Sequence, residues 1–185
     1  MADESTTEVV SYDLMEDHGI FVLSGEINSC VSTAIIKWVL ESNLSKDKKF
    51  KELTLIINSP GGELTDCFAI IDIMNSSKIP IKTVGLGQIC SCGFLIFING
   101  KNRILTPNTC VMCHPYSWGS GGQHHELVSI RKEQDLMQAR TLAHVVKCTK
   151  LTKKKTATIL LKETDTYLNS DECLEYGICD EVKNL

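Results

Sequence analysis

Short apolar runs rich in β-branched residues alternate along this chain with segments whose apolar residues recur at helical spacing. The run 53–57 is typical of a buried parallel strand. In the segment 29–42 the apolar residues share one helical face, and Ser29 is placed to cap its start. Repeated strand–helix units favour a parallel sheet with helices packed on it. The pattern therefore predicts an α/β fold.

The same periodicities outline the rest of the chain. Further strands are predicted at 19–23, 79–84, 104–105, 110–113 and 178–182, and further helices after residue 63 and at about 94–98, 126–149, 153–162 and 170–176. Gly177 follows the last helix as a typical C-terminal cap residue. Residues 1–8 are predicted to form a disordered tail, and residues 9–185 one domain.

Composition narrows the functional class. The net charge of −4 argues against nucleic acid as the main partner, and no apolar run is long enough to span a membrane. The N-terminus is polar and acidic, so we expect no secretory signal. With nine cysteines and no such signal, we expect reduced thiols and a cytoplasmic protein rather than a disulfide framework.

Ser91 is the most informative candidate for chemistry. It lies in a run of small residues directly before the apolar stretch 94–98. Such a run lets the chain turn sharply from a strand into a buried helix, which leaves the hydroxyl at the N-terminus of that helix. Backbone N–H groups at this point can receive developing negative charge. The arrangement predicts a nucleophile, although its spacing differs from G-x-S-x-G.

A serine nucleophile needs a base and an acidic partner for that base. His114 directly follows a predicted strand, at the sheet edge where α/β proteins place their sites. Asp165 precedes the last helix and could reach inward. A satisfied loop histidine and an ordinary turn aspartate are the structural alternatives. The paired glycines Gly61 and Gly62 follow a buried strand, so one backbone N–H there could complete an oxyanion hole with that of Cys92.

Five blocks of residues, in order, resemble the Clp protease proteolytic subunit family, ClpP. The resemblance covers about 11–182 and is carried by Asn58-Ser59-Pro60-Gly61-Gly62, Gly87-Gln88-x-x-Ser91-x-Gly93, Leu105-x-Pro107-Asn108-x-x-Val111-Met112-x-His114, Asp165-x-Tyr167-Leu168-x-Ser170 and Glu175-Tyr176-Gly177-Ile178-x-Asp180. The resemblance implies a ClpP/crotonase-like fold of strand-strand-helix units. It also implies a protruding handle over about 117–150, made of a glycine-rich strand and a long helix.

The resemblance implies roles for individual residues. Ser91 would be the nucleophile, His114 the general base and acid, and Asp165 the orienting carboxylate. The N–H groups of Gly62 and Cys92 would form the oxyanion hole. Extended peptide would bind along the glycine-rich segments, at Gly61, Gly119, Gly121, Gly122 and Gln123.

The resemblance also implies an assembly. The family stacks two heptameric rings into a tetradecamer that encloses its active sites, and an ATP-driven Clp unfoldase feeds it unfolded polypeptide. No cofactor or metal is needed for this chemistry. Several positions depart from the family pattern: Ile89-Cys90 replaces the usual pair of small residues before the serine, Cys92 replaces the usual Met, and Thr164 replaces an Arg that often joins the ring-to-ring contact.

Three alternatives remain open from sequence. The chain could be a catalytically silent ring subunit that scaffolds an active protease. Zinc could bind among the cysteines and histidines that cluster in sequence, which are Cys90, Cys92, Cys110, Cys113, His114, His124 and His125. The segment 110–114 also fits C-x-x-C-H, the c-type haem attachment pattern, although haem attachment would need export.

Overall fold

The structure, a computed structural model, describes residues 13–46, 50–115 and 124–184. Within these ranges the strands are β1 (Ile20–Ser24), β2 (Leu53–Ser59), β3 (Ile81–Cys90), β4 (Arg103–Leu105), β5 (Cys110–Cys113), β6 (Thr166–Leu168) and β7 (Glu181–Val182). The helices are α1 (Asp13–Glu16), α2 (Ser29–Leu44), α3 (Leu64–Ser76), α4 (Cys92–Ile98), α5 (His124–Cys148), α6 (Lys153–Lys155) and α7 (Ser170–Glu175). A π-helical turn, Thr156–Leu160, continues α6.

The described strands form one seven-stranded sheet. Its central path runs β1-β2-β3-β4-β7, and every pairing along that path is parallel. The strand β5 also pairs parallel with β3, whereas β5 and β6 pair antiparallel. The predicted α/β fold with a largely parallel sheet is therefore confirmed.

A bend in β3 lets this strand change neighbours. Its first half pairs with β4 and its second half with β5. The change occurs around Gly87, whose φ is +71° and where a Cβ atom would lie 2.7 Å from the Asn58 side-chain oxygen. That oxygen accepts a hydrogen bond from the Gln88 backbone N–H at 3.2 Å. The bend carries the end of β3, and the residue that follows it, toward β5.

The helix α4 is the centre of the core. All seven of its residues are buried, and it contacts the sheet, α3 and α5. Its apolar character therefore serves packing, as expected for a helix that is hydrophobic on every side. One polar contact joins it to α5, because His144 Nε2 donates to the Leu95 carbonyl oxygen at 2.9 Å.

One arginine anchors the C-terminal segment. The Arg103 guanidinium pairs with the Asp180 carboxylate and also donates to the carbonyl oxygens of Cys148 and Gly177, at 2.6 and 2.7 Å. This single side chain thus joins β4, the end of α5 and the segment that leads to β7. Among the described residues, no helix has the length and hydropathy that crossing a membrane requires.

Several element boundaries differ from the predictions. The strand predicted at 79–84 is longer, because β3 continues to Cys90. The strand predicted at 178–182 is shorter, because the N–H groups of Ile178 and Cys179 close the end of α7 by bonding to the Cys173 carbonyl. The helix predicted over 153–162 becomes π-helical after Lys155.

Two elements, α1 and β6, were not predicted at all. The Gly177 cap was predicted, and its φ of +68° agrees with that role. The predicted tail at 1–8 and the predicted glycine-rich strand of the handle lie outside the described residues.

Candidate active site

Ser91 lies at the junction between β3 and α4, where the strand turns directly into the helix. Its φ of +53° is unusual for a residue with a side chain, and no other described non-glycine residue has a positive φ. The Ser91 N–H donates to the Met112 carbonyl oxygen at 2.9 Å, which holds the turn against β5. Such strained backbone persists only where its surroundings enforce it, and it is often found at functional sites.

His114 follows β5 immediately and contacts Ser91. The distance between His114 Nε2 and Ser91 Oγ is 2.9 Å, within hydrogen-bonding reach. The other ring nitrogen, Nδ1, lies 2.6 Å from the Pro115 carbonyl oxygen. A carbonyl can only accept, so Nδ1 carries the proton and Nε2 is left to accept from the Ser91 hydroxyl. This is the tautomer that a general base for Ser91 requires.

Asp165 is placed opposite His114 by the strand register. In the antiparallel ladder, Val111 faces Leu168 and Cys113 faces Thr166, so the next position brings His114 opposite Asp165. Directly opposed residues in such a ladder have Cβ atoms about 4.5–5.5 Å apart. The Asp165 side chain is nevertheless exposed, and among the described residues it has no hydrogen bond to His114.

Asp165 lies close enough to the Cys90 thiol for its charge to act on it. Burial is the main cause that raises the pKa of Cys90 to about 11, and the negative charge of Asp165 adds a smaller part. The structure thus brings Ser91, His114 and Asp165 to one sheet edge but joins only the first two directly. The role of Asp165 stays a prediction.

The Gly61-Gly62 turn packs against the Ser91 junction. Both residues have positive φ, +109° and +145°. A Cβ atom on Gly61 would lie 2.7 Å from Ser91 Cβ, and one on Gly62 would lie 2.2 Å from the Ile27 carbonyl oxygen. Only glycine fits at either position, because any side chain would collide with the nucleophile or with backbone.

Two backbone N–H groups lie beside Ser91 without a main-chain acceptor. Gly62 pairs with Ile27 in a single parallel bridge, through the Gly61 carbonyl and the Glu63 N–H, so its own N–H points to the other side. Cys92 is the first residue of α4, and N–H groups in the first turn of a helix have no intrahelical partner. Neither N–H donates to a carbonyl of the described backbone.

A cavity of about 130 Å³ opens beside Ser91 and His114. Its walls are mainly apolar and include Leu64, Phe94, Leu95 and Leu161. The Thr141 side chain also lines it, and its buried hydroxyl has no hydrogen-bond partner within the described residues. The cavity offers an apolar space next to a hydrogen-bonded serine–histidine pair.

A family model described as Clp protease matches residues 2–184. The chain belongs to the Clp protease family. The resemblance carried by the sequence motifs is thus confirmed. The family supports a ClpP-like peptidase subunit and implies assembly into an oligomeric ring.

Four of the predicted peptide-binding residues, Gly119, Gly121, Gly122 and Gln123, lie outside the described residues. Gly61 is described, and it contacts the nucleophile. The long helix α5 follows at His124.

The geometry of the described residues also bears on the zinc and haem alternatives. Among the described side chains, which do not include those of the zinc candidates His124 and His125, no group of three or more His, Cys, Asp or Glu is arranged to hold a metal ion. In the C-x-x-C-H segment, Cys110 is exposed and Cys113 is buried, so the two thiols lie on opposite faces of β5. His114 Nε2, which a haem iron would need, is already bonded to Ser91.

Sequence reasoning missed three features of the site. The Pro115 carbonyl holds His114 Nδ1, and no side-chain pattern signals a backbone contact of this kind. The strand β6, which orients Asp165, has only three residues and gives almost no periodicity. The Cys67 thiol on α3 lies 3.5 Å from the Cys92 carbonyl oxygen. The helical spacing of Cys67 had indicated only that its side chain faces the core.

Proposed function

We propose that this chain is a serine endopeptidase subunit of a self-compartmentalising ring protease that cleaves unfolded polypeptides to short peptides. The observation that carries the proposal is the 2.9 Å contact between Ser91 Oγ and His114 Nε2, in the tautomer that can accept the serine proton. Ser91 is the nucleophile, and His114 is the general base and acid.

The reaction follows from the positions of these groups. His114 Nε2 takes the Ser91 proton as Oγ attacks the peptide carbonyl carbon, and it then donates that proton to the departing amine. The N–H groups of Gly62 and Cys92 stabilise the negative charge on the carbonyl oxygen. Water, activated by the same imidazole, releases the acyl group. No cofactor takes part in this sequence.

In this proposal Asp165 is the acidic member of a Ser91–His114–Asp165 hydrogen-bond relay. A rotation of its side chain would bring the carboxylate to His114 Nδ1, since the two residues are opposed in the ladder. The carboxylate would then stabilise the imidazolium that forms during the reaction. In the described conformation the Pro115 carbonyl occupies that position.

The cavity supports a preference in the substrate. Its apolar walls fit an apolar side chain adjacent to the bond that is cleaved, and a charged side chain would be desolvated there without a partner. We expect fluorogenic peptides with leucine or methionine at that position to be cleaved faster than those with aspartate or lysine. Equal rates for all four would argue against this cavity as the subsite.

Exposed apolar side chains support an oligomer. Leu40 and Leu44 on α2, and Val128 and Leu136 on α5, are each at least 46% exposed. Apolar side chains of this size gain by burial against other subunits. We propose heptameric rings, two of them stacked into a tetradecamer, with peptide bound along the glycine-rich handle segment and Gly61.

We further propose an ATP-dependent Clp unfoldase as the partner that delivers substrate, and a cytoplasmic location. The second point is supported by all nine cysteines being free thiols. Light scattering on the purified protein should give the mass of one heptameric ring or of two. A stable monomer would contradict the assembly.

The competing function is a catalytically silent ring subunit, and one observation favours it: Asp165 is exposed and not bonded to His114 in the described conformation. Hydrolysis of a fluorogenic peptide and of an unfolded protein separates the two. We expect both to be cleaved, and we expect the rate to fall by about 10⁶-fold, to background, in Ser91→Ala. An assembled ring without hydrolysis would support the silent subunit.

A further inference from the structure

Two cysteines lie together beneath the proposed nucleophile. Cys92 opens α4 directly after Ser91, and Cys67 lies in the first turn of α3. The Cys67 thiol contacts the Cys92 carbonyl oxygen at 3.5 Å, and the Cys92 thiol donates to the Gly62 carbonyl oxygen at 3.1 Å. Both side chains are buried. The contact of the Cys67 thiol with Cys92 joins the start of α3 to the start of α4.

The two thiols differ in chemical character. A hydrogen bond with the Cys67 side chain is the main cause that lowers the pKa of Cys92; burial opposes this effect, and the Gly62 backbone adds a smaller lowering. Burial above all raises the pKa of Cys67, and its hydrogen bond with Cys92 raises it further. Of the two thiols, Cys92 is therefore the one whose pKa is lowered and Cys67 the one whose pKa is raised.

Other buried cysteines lack this activation. Burial raises the pKa of both Cys113 and Cys173 to about 12. Because the thiolate is the species that reacts with oxidants and electrophiles, these two sites are expected to be inert. Among the buried cysteines, Cys92 combines a lowered pKa with a second cysteine that contacts it, Cys67.

Of the two cysteines, only Cys92 lines the cavity beside Ser91. Cys92 lines the cavity that also holds Ser91 and His114, whereas Cys67 is fully buried behind it. A volume of about 130 Å³ admits a small peroxide. A reagent that enters along the substrate path therefore meets Cys92 first, and Cys67 is positioned to react second.

We propose that Cys92 and Cys67 form a thiol modification site for hydroperoxides, and that the disulfide between them reversibly inactivates the peptidase. The Cys92 thiolate attacks one peroxide oxygen, the O–O bond breaks, and Cys92 sulfenic acid forms with release of water or an alcohol. Cys67 sulfur then attacks Cys92 sulfur and the S–O bond breaks. The hydroxide that leaves takes the Cys67 proton and departs as water, so the two thiols together supply the two electrons that reduce one peroxide.

The disulfide would act on the adjacent catalytic geometry. A disulfide bond is about 2.05 Å long, much shorter than a non-bonded sulfur contact, so its formation draws the start of α4 toward α3. Ser91 and the Cys92 N–H lie at that start. A displacement of about 1 Å at reacting groups slows a reaction about 10²-fold. This part rests on the proposed function, whereas formation of the disulfide does not.

The test treats the assembled protein with hydrogen peroxide and maps its thiols by differential alkylation and peptide mass spectrometry without reduction. We expect a peptide pair linked through Cys67 and Cys92, an approximately 10²-fold slower reaction of Ser91 with a fluorophosphonate, and recovery of both after dithiothreitol. Cys92 left as a free thiol, while other cysteines are oxidised, would overturn the proposal.

Variants distinguish the disulfide from simple oxidation. In Cys67→Ala, or Cys67→Ser if the first is unstable, Cys92 should be oxidised to sulfinic acid, and dithiothreitol should no longer restore the untreated rate of that variant. Cys173→Ala, which removes another buried thiol, should behave as the unmodified protein. Reversible inactivation that persists in both Cys67 variants would refute the claim that a disulfide between Cys67 and Cys92 causes it. A linked Cys67–Cys92 peptide in a protein whose Ser91 never labels would instead uphold the modification site and reject the proposed peptidase.

Discussion

Replacing Asp165 with alanine tests how His114 is oriented. Loss of the acidic member of a serine protease triad can slow catalysis about 10⁴-fold when the histidine adopts the wrong tautomer. Here the Pro115 carbonyl, 2.6 Å from Nδ1, already holds the required tautomer. The remaining loss is the charge-assisted hydrogen bond to the imidazolium, about 2–3 kcal/mol. We therefore expect Asp165→Ala to lower kcat about 30- to 150-fold.

The assay is hydrolysis of a fluorogenic peptide, with the rate of fluorophosphonate labelling at Ser91 as a second readout. Asp171→Ala, which removes another exposed carboxylate at the start of α7, is the matched control and should retain its rate. A loss below about fivefold would exclude Asp165 from the relay, and a loss of about 10⁴-fold would show that the Pro115 carbonyl does not hold the tautomer.

Three further predictions concern the support of the site. Gly61→Ala places a Cβ atom 2.7 Å from Ser91 Cβ, so it should slow fluorophosphonate labelling of Ser91 about 10²-fold while circular dichroism shows a retained fold. An unchanged labelling rate would contradict the close approach of the two residues. Arg103→Ala removes the ion pair with Asp180 and two hydrogen bonds to carbonyl oxygens, so it should destabilise the fold by about 2–3 kcal/mol and lower Tm by about 5–10 °C. Arg131→Ala removes only the exposed ion pair with Asp135 and should change Tm little. Burial lowers the pKa of His144 below its ordinary value of 6.5, so the unfolded chain binds this proton more strongly and the stability of the fold decreases as the pH drops below about 6.5. His144→Gln should therefore reduce the difference in Tm between about pH 7.5 and pH 5.5. An unaltered difference would refute the assignment.

Residue patterns predicted the architecture of this chain well where segments were long. The parallel strand at 53–57 and the helix at 29–42 lie where their apolar spacing indicated. Short elements were harder, since three residues of β6 cannot display a period. The length of β3 was also missed, because its second half contains Gly87, Gln88 and a change of neighbour that only the sheet reveals.

The candidate site was predictable to the extent that it depends on side-chain identity. Sequence named Ser91 and His114, and the structure shows them 2.9 Å apart. Contacts made by the backbone carry no residue signature. The contacts of the Pro115 carbonyl with His114 and of the Met112 carbonyl with the Ser91 N–H are therefore visible only in the structure. The position of Asp165 depends on the β5–β6 register, which a sequence alone does not specify.

The proposed peptidase activity depends on an activated serine at the end of β3. Intact mass spectrometry after exposure to a fluorophosphonate measures this directly, with peptide mapping to locate the adduct. We expect one adduct per chain, at Ser91, and none in Ser91→Ala or after heat denaturation. A folded, assembled protein that takes up no reagent, or takes it up at another serine, would contradict the peptidase assignment.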